Sequence, residues 1–153
     1  MENNPHADLL RDLERAEAAP YVDYPPTPGW YFPAAGAWFA GLTGVQGLTE
    51  DHLPVAIALI VVLLGALGAF CGWYARYRGA MPSVLRRAPR GMGSMFALYF
   101  VGAAVVLGVV WWTGAQAGWG WASALMFLLA TAGLWLHEQS YAAAAARVRD
   151  RLS

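Results

Sequence analysis

Three stretches of this 153-residue sequence contain no Asp, Glu, Lys or Arg and are long enough to cross a lipid bilayer. They are residues 53–74, 92–112 and 119–137, and a transmembrane helix needs about 20 predominantly apolar residues. The first contains eleven Leu, Ile, Val or Phe residues, which together favour insertion by about 3–6 kcal/mol. Only 13% of all residues are charged, against about 25% in a soluble domain, so a water-facing surface would lack charge. The sequence therefore predicts an all-α integral membrane protein.

Residues 30–48 are a weaker candidate for a fourth transmembrane helix. Five side chains favour insertion, whereas Pro33, Gln46 and four glycines oppose it. Neighbouring helices can cover the backbone that glycine leaves exposed and so stabilise such a segment. We therefore expect a four-transmembrane-helix bundle with up-down topology, whose spans are residues 30–48, 53–74, 92–112 and 119–137.

The distribution of arginine predicts the orientation of these helices. All ten basic residues are Arg, and five of them lie in residues 75–91, where no acidic residue occurs. Placing five Arg at the bilayer centre would cost about 12–18 kcal/mol, and short Arg-rich loops stay in the cytoplasm. The opposite connections, residues 49–52 and 113–118, contain no Arg. We therefore expect both termini in the cytoplasm and a multi-pass protein in the plasma or inner membrane of a bacterium, since the Arg-, Ala- and Gly-rich composition indicates a high-GC genome.

Aromatic, proline and acidic residues predict the organisation around the helices. Seven of the eight Trp residues lie near predicted helix ends, where indole rings prefer the membrane interface, and only Trp38 lies mid-helix. Residues 1–29 are a predicted cytoplasmic arm and Pro-rich linker, residues 30–141 the transmembrane domain, and residues 142–153 an Arg-rich cytoplasmic tail. Within the arm, Leu9, Leu10 and Leu13 share one face of a short amphipathic helix. Residues 1–19 hold five acidic residues against two Arg, so this helix is expected to lie on the surface, or to dock on a partner or on the protein's own basic loop.

Small residues recur at helical spacing and predict where the helices pack. Transmembrane helices associate through close backbone approach, because lipid is as apolar as their side chains. We interpret the glycines as internal contacts between helices, with contact between two copies of the chain as the alternative. The predicted helix-packing residues are Gly44, Gly65, Gly68, Gly72 and Gly108.

The predicted helix cores contain no Asp, Glu, Lys, Arg or His, which argues against a proton or ion pathway. The polar side chains expected at this depth are Thr43, Gln46, Tyr99, Ser123 and Thr131. We expect them to form hydrogen bonds within one helix or between neighbours. Cys71 is the single cysteine, so no disulfide, CxxC pair or cysteine metal site can form within one chain. We predict no catalytic residue, no metal and no cofactor.

The predicted inner face carries the remaining candidate groups. His137 is expected to be an interfacial residue, and Glu138 to pair with a loop Arg. The first interpretation of the loop arginines is that they only set the orientation of the chain in the membrane. The more specific alternative is that they bind anionic lipid headgroups, because each Arg near the membrane surface contributes about 1 kcal/mol. The candidate lipid contacts are Arg76, Arg78, Arg86, Arg87 and Arg90. No nucleic-acid-binding motif is present, so no nucleic acid partner is expected.

Two segments carry a resemblance in layout. The Pro-rich stretch from Tyr24 to Pro33, followed by four predicted spans and a tail from Arg147 to Leu152, resembles uncharacterised small four-span membrane proteins of high-GC bacteria. The resemblance implies no activity for any residue. Small multidrug transporters carry a Glu in the first helix and quinone-linked thiol oxidoreductases carry paired cysteines, and this sequence has neither feature.

The helix cores lack acidic and basic side chains, and the charged residues lie at the predicted cytoplasmic ends. This distribution favours a non-enzymatic accessory, assembly or scaffold subunit of a membrane complex. Its partners would be the lipid bilayer and a membrane protein or further copies of the chain. The alternative is a small homo-oligomeric transporter or channel whose polar path uses Thr43, Gln46, Ser123 and Tyr99. A membrane enzyme with a site around His137, Glu138 and the Arg loop is the third hypothesis.

Overall fold

The computed structural model describes residues 25–78 and 93–152. These residues form four α-helices and no strand: α1 (Tyr31–Gln46), α2 (Leu53–Arg78), α3 (Gly93–Ala117) and α4 (Trp119–Leu152). Three of them, α2, α3 and α4, are long and apolar enough to cross a membrane. The predicted all-α class is confirmed, as are three helices with the length and composition of membrane spans. The predicted amphipathic helix in residues 1–19 lies outside the described residues.

Large apolar side chains cover the outside of these helices. On α2, Val61 and Val62 are 62% and 66% exposed, and on α3 Leu98 is 69% exposed. Burial of such a side chain from water is worth about 1.5–3 kcal/mol, so a soluble fold would not leave many of them uncovered. The exposure is that of a membrane-embedded protein, in which lipid covers these side chains.

Among the described residues, the four helices contact one another in the order α2, α1, α4, α3. The interface between α1 and α4 is the most extensive, and that between α1 and α2 is the smallest. Within residues 25–78 and 93–152, α2 contacts neither α3 nor α4. The described helices thus form an open row. The physical reason is that lipid solvates the apolar faces of α2 and α3, so burial from water does not draw them together.

Each contacting pair of helices runs antiparallel. Along α1 and α4, Gly47 lies against Trp119 at one end and Gly36 against Thr131 further along. Along α1 and α2, Trp38 bonds to Leu63, whereas the earlier Trp30 lies against the later Trp73. Neighbouring helices in the row therefore alternate in direction.

Two helix boundaries differ from the predicted ones. The predicted turn at residues 113–118 is almost entirely helical, and Gly118 alone separates α3 from α4. Gly118 has φ 92°, a left-handed conformation that glycine adopts without steric cost. At the other end, α4 continues to Leu152 through the segment predicted as the tail. A run of five alanines, residues 142–146, explains this continuation, because Ala has the highest helix propensity.

Buried side chains lie on α1, α3 and α4, and on α2 at Ala56. Between α3 and α4, Val110, Ala122 and Met126 form a buried cluster, with Trp119 and Leu129 packed against it. The buried residues of α1 are Phe32, Gly36, Thr43 and Val45, and of these Gly36 lies against α4. Helices α1 and α4 are therefore the two inner elements of the row of described helices.

Candidate functional site

Glycines on α1 allow it to approach α4 closely. A Cβ added at Gly36 would overlap the Thr131 hydroxyl and would lie 3.0 Å from the Phe127 carbonyl oxygen. A Cβ added at Gly47 would lie 3.0 Å from Cβ of Trp119. Such distances are shorter than ordinary van der Waals contact, so only glycine fits at these two positions without a shift of the neighbouring helix.

Hydroxyl groups at the α1–α4 interface donate to main-chain carbonyls. The Ser123 hydroxyl donates to the Ala40 carbonyl across the interface at 2.7 Å. Thr43, which is buried, donates to the Phe39 carbonyl of its own helix at 3.0 Å. Gly44, a predicted helix-packing residue, lies beside Ser123, because a Cβ there would be 3.4 Å from the Ser123 Oγ. Hydroxyl donors bonded in this way hold two helices at close range in lipid.

The other four predicted helix-packing glycines face open space. A Cβ added at any of them would meet no atom of the described chain within 4 Å, and they are Gly65, Gly68, Gly72 and Gly108. Within the described residues, a side chain at these positions would therefore meet no other helix, and their predicted role in packing between the helices of one chain stays a prediction. On α2 the reason is that the large side chains of Leu63 and Phe70 face α1, which leaves the glycines on the opposite side. The alternative, contact with a second chain, stays a prediction.

Helix α2 is attached to α1 by an indole hydrogen bond and by aromatic rings. The Trp38 Nε1–H donates to the Leu63 carbonyl at 2.8 Å, which accounts for the one tryptophan that the sequence places mid-helix. Near the opposite end of the contact, the rings of Trp30 and Trp73 have centroids 4.9 Å apart. The Tyr77 hydroxyl donates to the Pro26 carbonyl at 3.0 Å. None of these contacts is among the sequence predictions, although the mid-helix indole was a usable signal.

His137 and Glu138 contact different parts of the protein. The His137 ring lies 4.7 Å from the Tyr99 ring on α3 and 6.3 Å from that of Tyr141. Glu138 points towards the segment before α1, where its Oε1 accepts a hydrogen bond from the Thr27 hydroxyl at 2.7 Å. Consecutive helical residues point about 100° apart, so the two side chains do not converge on one site. The loop expected to supply an Arg partner for Glu138 is residues 75–91, of which residues 79–91 lie outside the described residues, so this pairing stays a prediction.

An open cleft of about 350 Å³ lies beside Glu138 where α4 extends past the start of α1. We call it the α4 cleft. Its walls include one carboxylate, one guanidinium and a surface of small alanines, and the lining residues are Pro26, Thr27, Phe32, Glu138, Gln139, Ala142, Ala145, Ala146 and Arg149.

The structure describes two of the five arginines that were predicted to bind lipid headgroups. Arg76 is exposed near the end of α2, and Arg78 is the last residue of that helix. Arg147 is exposed on α4 at the same end of the row. The remaining candidates lie outside the described residues and are Arg86, Arg87 and Arg90.

Comparisons with protein-family models, with curated proteins and with solved structures found no match. In the described part of the chain, no group of three or more His, Cys, Asp or Glu side chains is arranged to hold a metal ion. Cys71 is a free, exposed cysteine on α2. The features that bear on function are therefore the free face of α2, the α4 cleft and the basic end of the row.

Proposed function

We propose that the chain is a non-enzymatic accessory or assembly subunit of a membrane complex, and that it binds another transmembrane helix on the free face of α2. The observation that carries the proposal is the attachment of α2 along a single edge. Its face opposite α1 carries Gly65, Gly68 and Gly72, and a Cβ at each would meet no described atom within 4 Å. A partner helix could approach that face as closely as α4 approaches α1.

The glycines on this face destabilise α2 unless another helix packs on them. A glycine inside a helix is less stable than an alanine by about 0.5–1 kcal/mol, so three of them weaken α2 by about 1.5–3 kcal/mol. Lipid chains gain nothing specific from the missing side chains, whereas a second helix gains van der Waals contact with the backbone. A helix–helix contact therefore explains this pattern better than exposure to lipid.

In this proposal α1 is the fourth membrane crossing, and the Arg-rich end of the row faces the cytoplasm. Alone, the 16 residues of α1 span about 24 Å, less than the bilayer core of about 30 Å. The flanking residues extend its reach, because Gly47 lies level with Trp119 and Thr27 is bonded to Glu138. The whole segment thus matches the apolar part of α4 in depth, and the positive-inside rule supports its orientation.

Substitutions on two faces of α2 test the proposal. Gly68→Leu fills the free face, whereas Ala66→Leu adds a side chain of the same size about 160° away around the helix. Both variants, and the unmodified protein, are extracted with their native lipids and purified through a terminal tag. We expect the unmodified protein and Ala66→Leu to retain a companion protein and Gly68→Leu to lose it. A protein that migrates alone, or a companion retained equally by both variants, would contradict the proposal.

The transporter or channel alternative receives less support from the geometry. Thr43 and Ser123 donate their hydroxyls to main-chain carbonyls. Gln46 lies at the end of α1 and Tyr99 on α3 beside His137. The same purification separates the alternatives, because a complex whose mass is a multiple of 16.5 kDa, together with solute flux into liposomes, would favour the homo-oligomeric transporter.

We also propose that the basic end of the row binds anionic lipid headgroups. Arg76 and Arg147 are exposed at this end, and each arginine near an anionic surface contributes about 1 kcal/mol. Arg76→Gln combined with Arg78→Gln should reduce the number of anionic lipids that co-purify with the protein, as counted by mass spectrometry. Equal lipid retention by this variant would remove the support for the proposal.

A further inference from the structure

Helix α1 exposes a strip of surface between its contacts with α4 and with α2, and the side chains on this strip are small. Gly36 faces α4, and Gly41 faces α2. At about 100° per residue these two directions are about 140° apart, and Pro33 and Ala37 point between them. Both of these side chains are exposed. Because α2 and α4 flank the strip on its two sides, it forms a shallow groove, which we call the α1 groove.

Two tryptophans and an arginine lie at the end of the α1 groove, on the side of the basic end of the row. Trp30 precedes Pro33 and Ala37 at spacings of three and four residues, so it shares their face of α1. It is 52% exposed, and its ring packs on that of Trp73 with centroids 4.9 Å apart. Arg76, about one turn further along α2, is exposed. Indole rings prefer the water–lipid interface, so we expect this end of the groove at the depth of the lipid headgroups.

We propose that the α1 groove holds one acyl chain of an anionic phospholipid whose headgroup is bound by Arg76. The phosphate lies beside the Arg76 guanidinium and Trp30, and the chain runs from there along Pro33 and Ala37. This inference rests on the proposed binding of anionic headgroups at the basic end of the row, and it assigns one lipid to one place on the protein.

The length of the groove matches the depth of one lipid leaflet. Half of a bilayer core about 30 Å thick is about 15 Å, which corresponds to about ten residues of helix. A chain whose headgroup lies level with Trp30 therefore reaches the bilayer centre near the level of Ala40. Pro33 and Ala37 fall within this distance, so the chain passes both.

Two properties of the site favour a phospholipid over a second protein helix. The exposed guanidinium of Arg76 attracts a phosphate group, which an apolar transmembrane helix does not supply. A flexible acyl chain also follows the uneven floor formed by Pro33 and Ala37, and it makes van der Waals contacts that an unfilled groove would lack.

Titration of a phospholipid into the delipidated full chain tests the proposal. The protein, in detergent, is mixed with dipalmitoyl phosphatidylglycerol, and the bound lipids are counted by native mass spectrometry. Ala37→Leu fills the groove, whereas Ala104→Leu makes the same change at an exposed alanine of α3. We expect Ala37→Leu to weaken binding of the first lipid by about tenfold and Ala104→Leu to leave it unchanged. Arg76→Gln should weaken it by about fivefold.

The combined results separate the groove from the headgroup site. If Arg76→Gln weakens lipid binding and Ala37→Leu does not, the basic end binds headgroups but the groove holds no chain, and this inference is overturned. If neither variant weakens binding, the proposed headgroup site fails as well. An unmodified protein that is a dimer, and that Ala37→Leu converts to a monomer, would show that the groove is a contact between two copies and would also overturn the inference.

A folding control accompanies Ala37→Leu. Disulfide trapping between Gly41→Cys and Leu63→Cys, in a Cys71→Ser background, should proceed at the same rate with and without Ala37→Leu, because the added side chain points between the two helix contacts. If it slows, Ala37→Val, a smaller addition, takes the place of Ala37→Leu in the titration and is expected to weaken lipid binding in the same direction.

Discussion

Helix α1 is held by α4 on one side and holds α2 on the other, and the two interfaces are built differently. Towards α4 it presents glycines whose missing side chains are matched by Thr131 and Trp119. Towards α2 it presents Trp38 and Trp30, which contact that helix through one indole hydrogen bond and ring packing. Because close backbone approach determines helix association in lipid, the α4 side is the rigid part of the fold. The α2 side leaves the opposite face of α2 available.

The strongest test of this difference is to add the same methyl group at a glycine that is packed against α4 and at a glycine that faces open space. Gly36→Ala places a Cβ onto the Thr131 hydroxyl and beside the Phe127 carbonyl, an overpacking that should destabilise the protein by about 1–3 kcal/mol. Gly68→Ala places its Cβ in open space and should stabilise α2 by about 0.5–1 kcal/mol. Unfolding by a strong detergent in mixed micelles, followed by far-UV circular dichroism, measures both.

Thr131→Ala tests the cause of the Gly36→Ala effect. The Thr131 Oγ1 is buried and has no hydrogen-bond partner among the described residues, so its removal alone should change stability little. Combined with Gly36→Ala it should recover part of the loss, since the Phe127 carbonyl still lies 3.0 Å from the new Cβ. A Gly36→Ala protein as stable as the Gly68→Ala protein would mean that α1 and α4 are not closely packed.

The sequence predicted the helices well because their signals are local. Runs of uncharged apolar residues determine α2, α3 and α4 whatever their neighbours. The arrangement of the helices depends on pairwise fit, which composition does not reveal. The open row of the described helices therefore could not be predicted from the sequence. The turn at Gly118 was predicted too long for a similar reason, since one residue with positive φ suffices to reverse the chain.

The α1–α2 contact should depend on Trp38 more than the α1–α4 contact depends on any single hydrogen bond. Trp38→Phe keeps an aromatic ring and removes the N–H donor to the Leu63 carbonyl, which should cost about 1 kcal/mol. Trp121→Phe is the control, because Trp121 is 72% exposed. Disulfide trapping between Gly41→Cys and Leu63→Cys in a Cys71→Ser background reports the contact and should slow only with Trp38→Phe. Equal trapping in both variants would show that ring packing alone attaches α2.

The candidate sites illustrate a second limit of the sequence. Gly44 and Gly68 look alike in the sequence, yet the first lies beside Ser123 and the second in open space. Gly36 was overlooked, although its spacing of four from Ala40 and then Gly44 is a regular small-residue pattern. The Thr27 to Glu138 bond joins residues 111 positions apart, so no local signal could indicate it.

The smallest expected effect concerns the hydrogen bond between α1 and α4. Ser123→Ala removes the donor to the Ala40 carbonyl, and such bonds between transmembrane helices contribute about 0.6 kcal/mol. Ser140→Ala removes a bond to the carbonyl of its own helix and should change stability less. In the detergent unfolding assay, Ser123→Ala should lower stability slightly without separating α1 from α4, because the glycines at Gly36 and Gly47 maintain the close approach. If Ser123→Ala instead lowered the stability as much as Trp38→Phe does, the two interfaces would depend equally on one hydrogen bond and the contrast between them would fail.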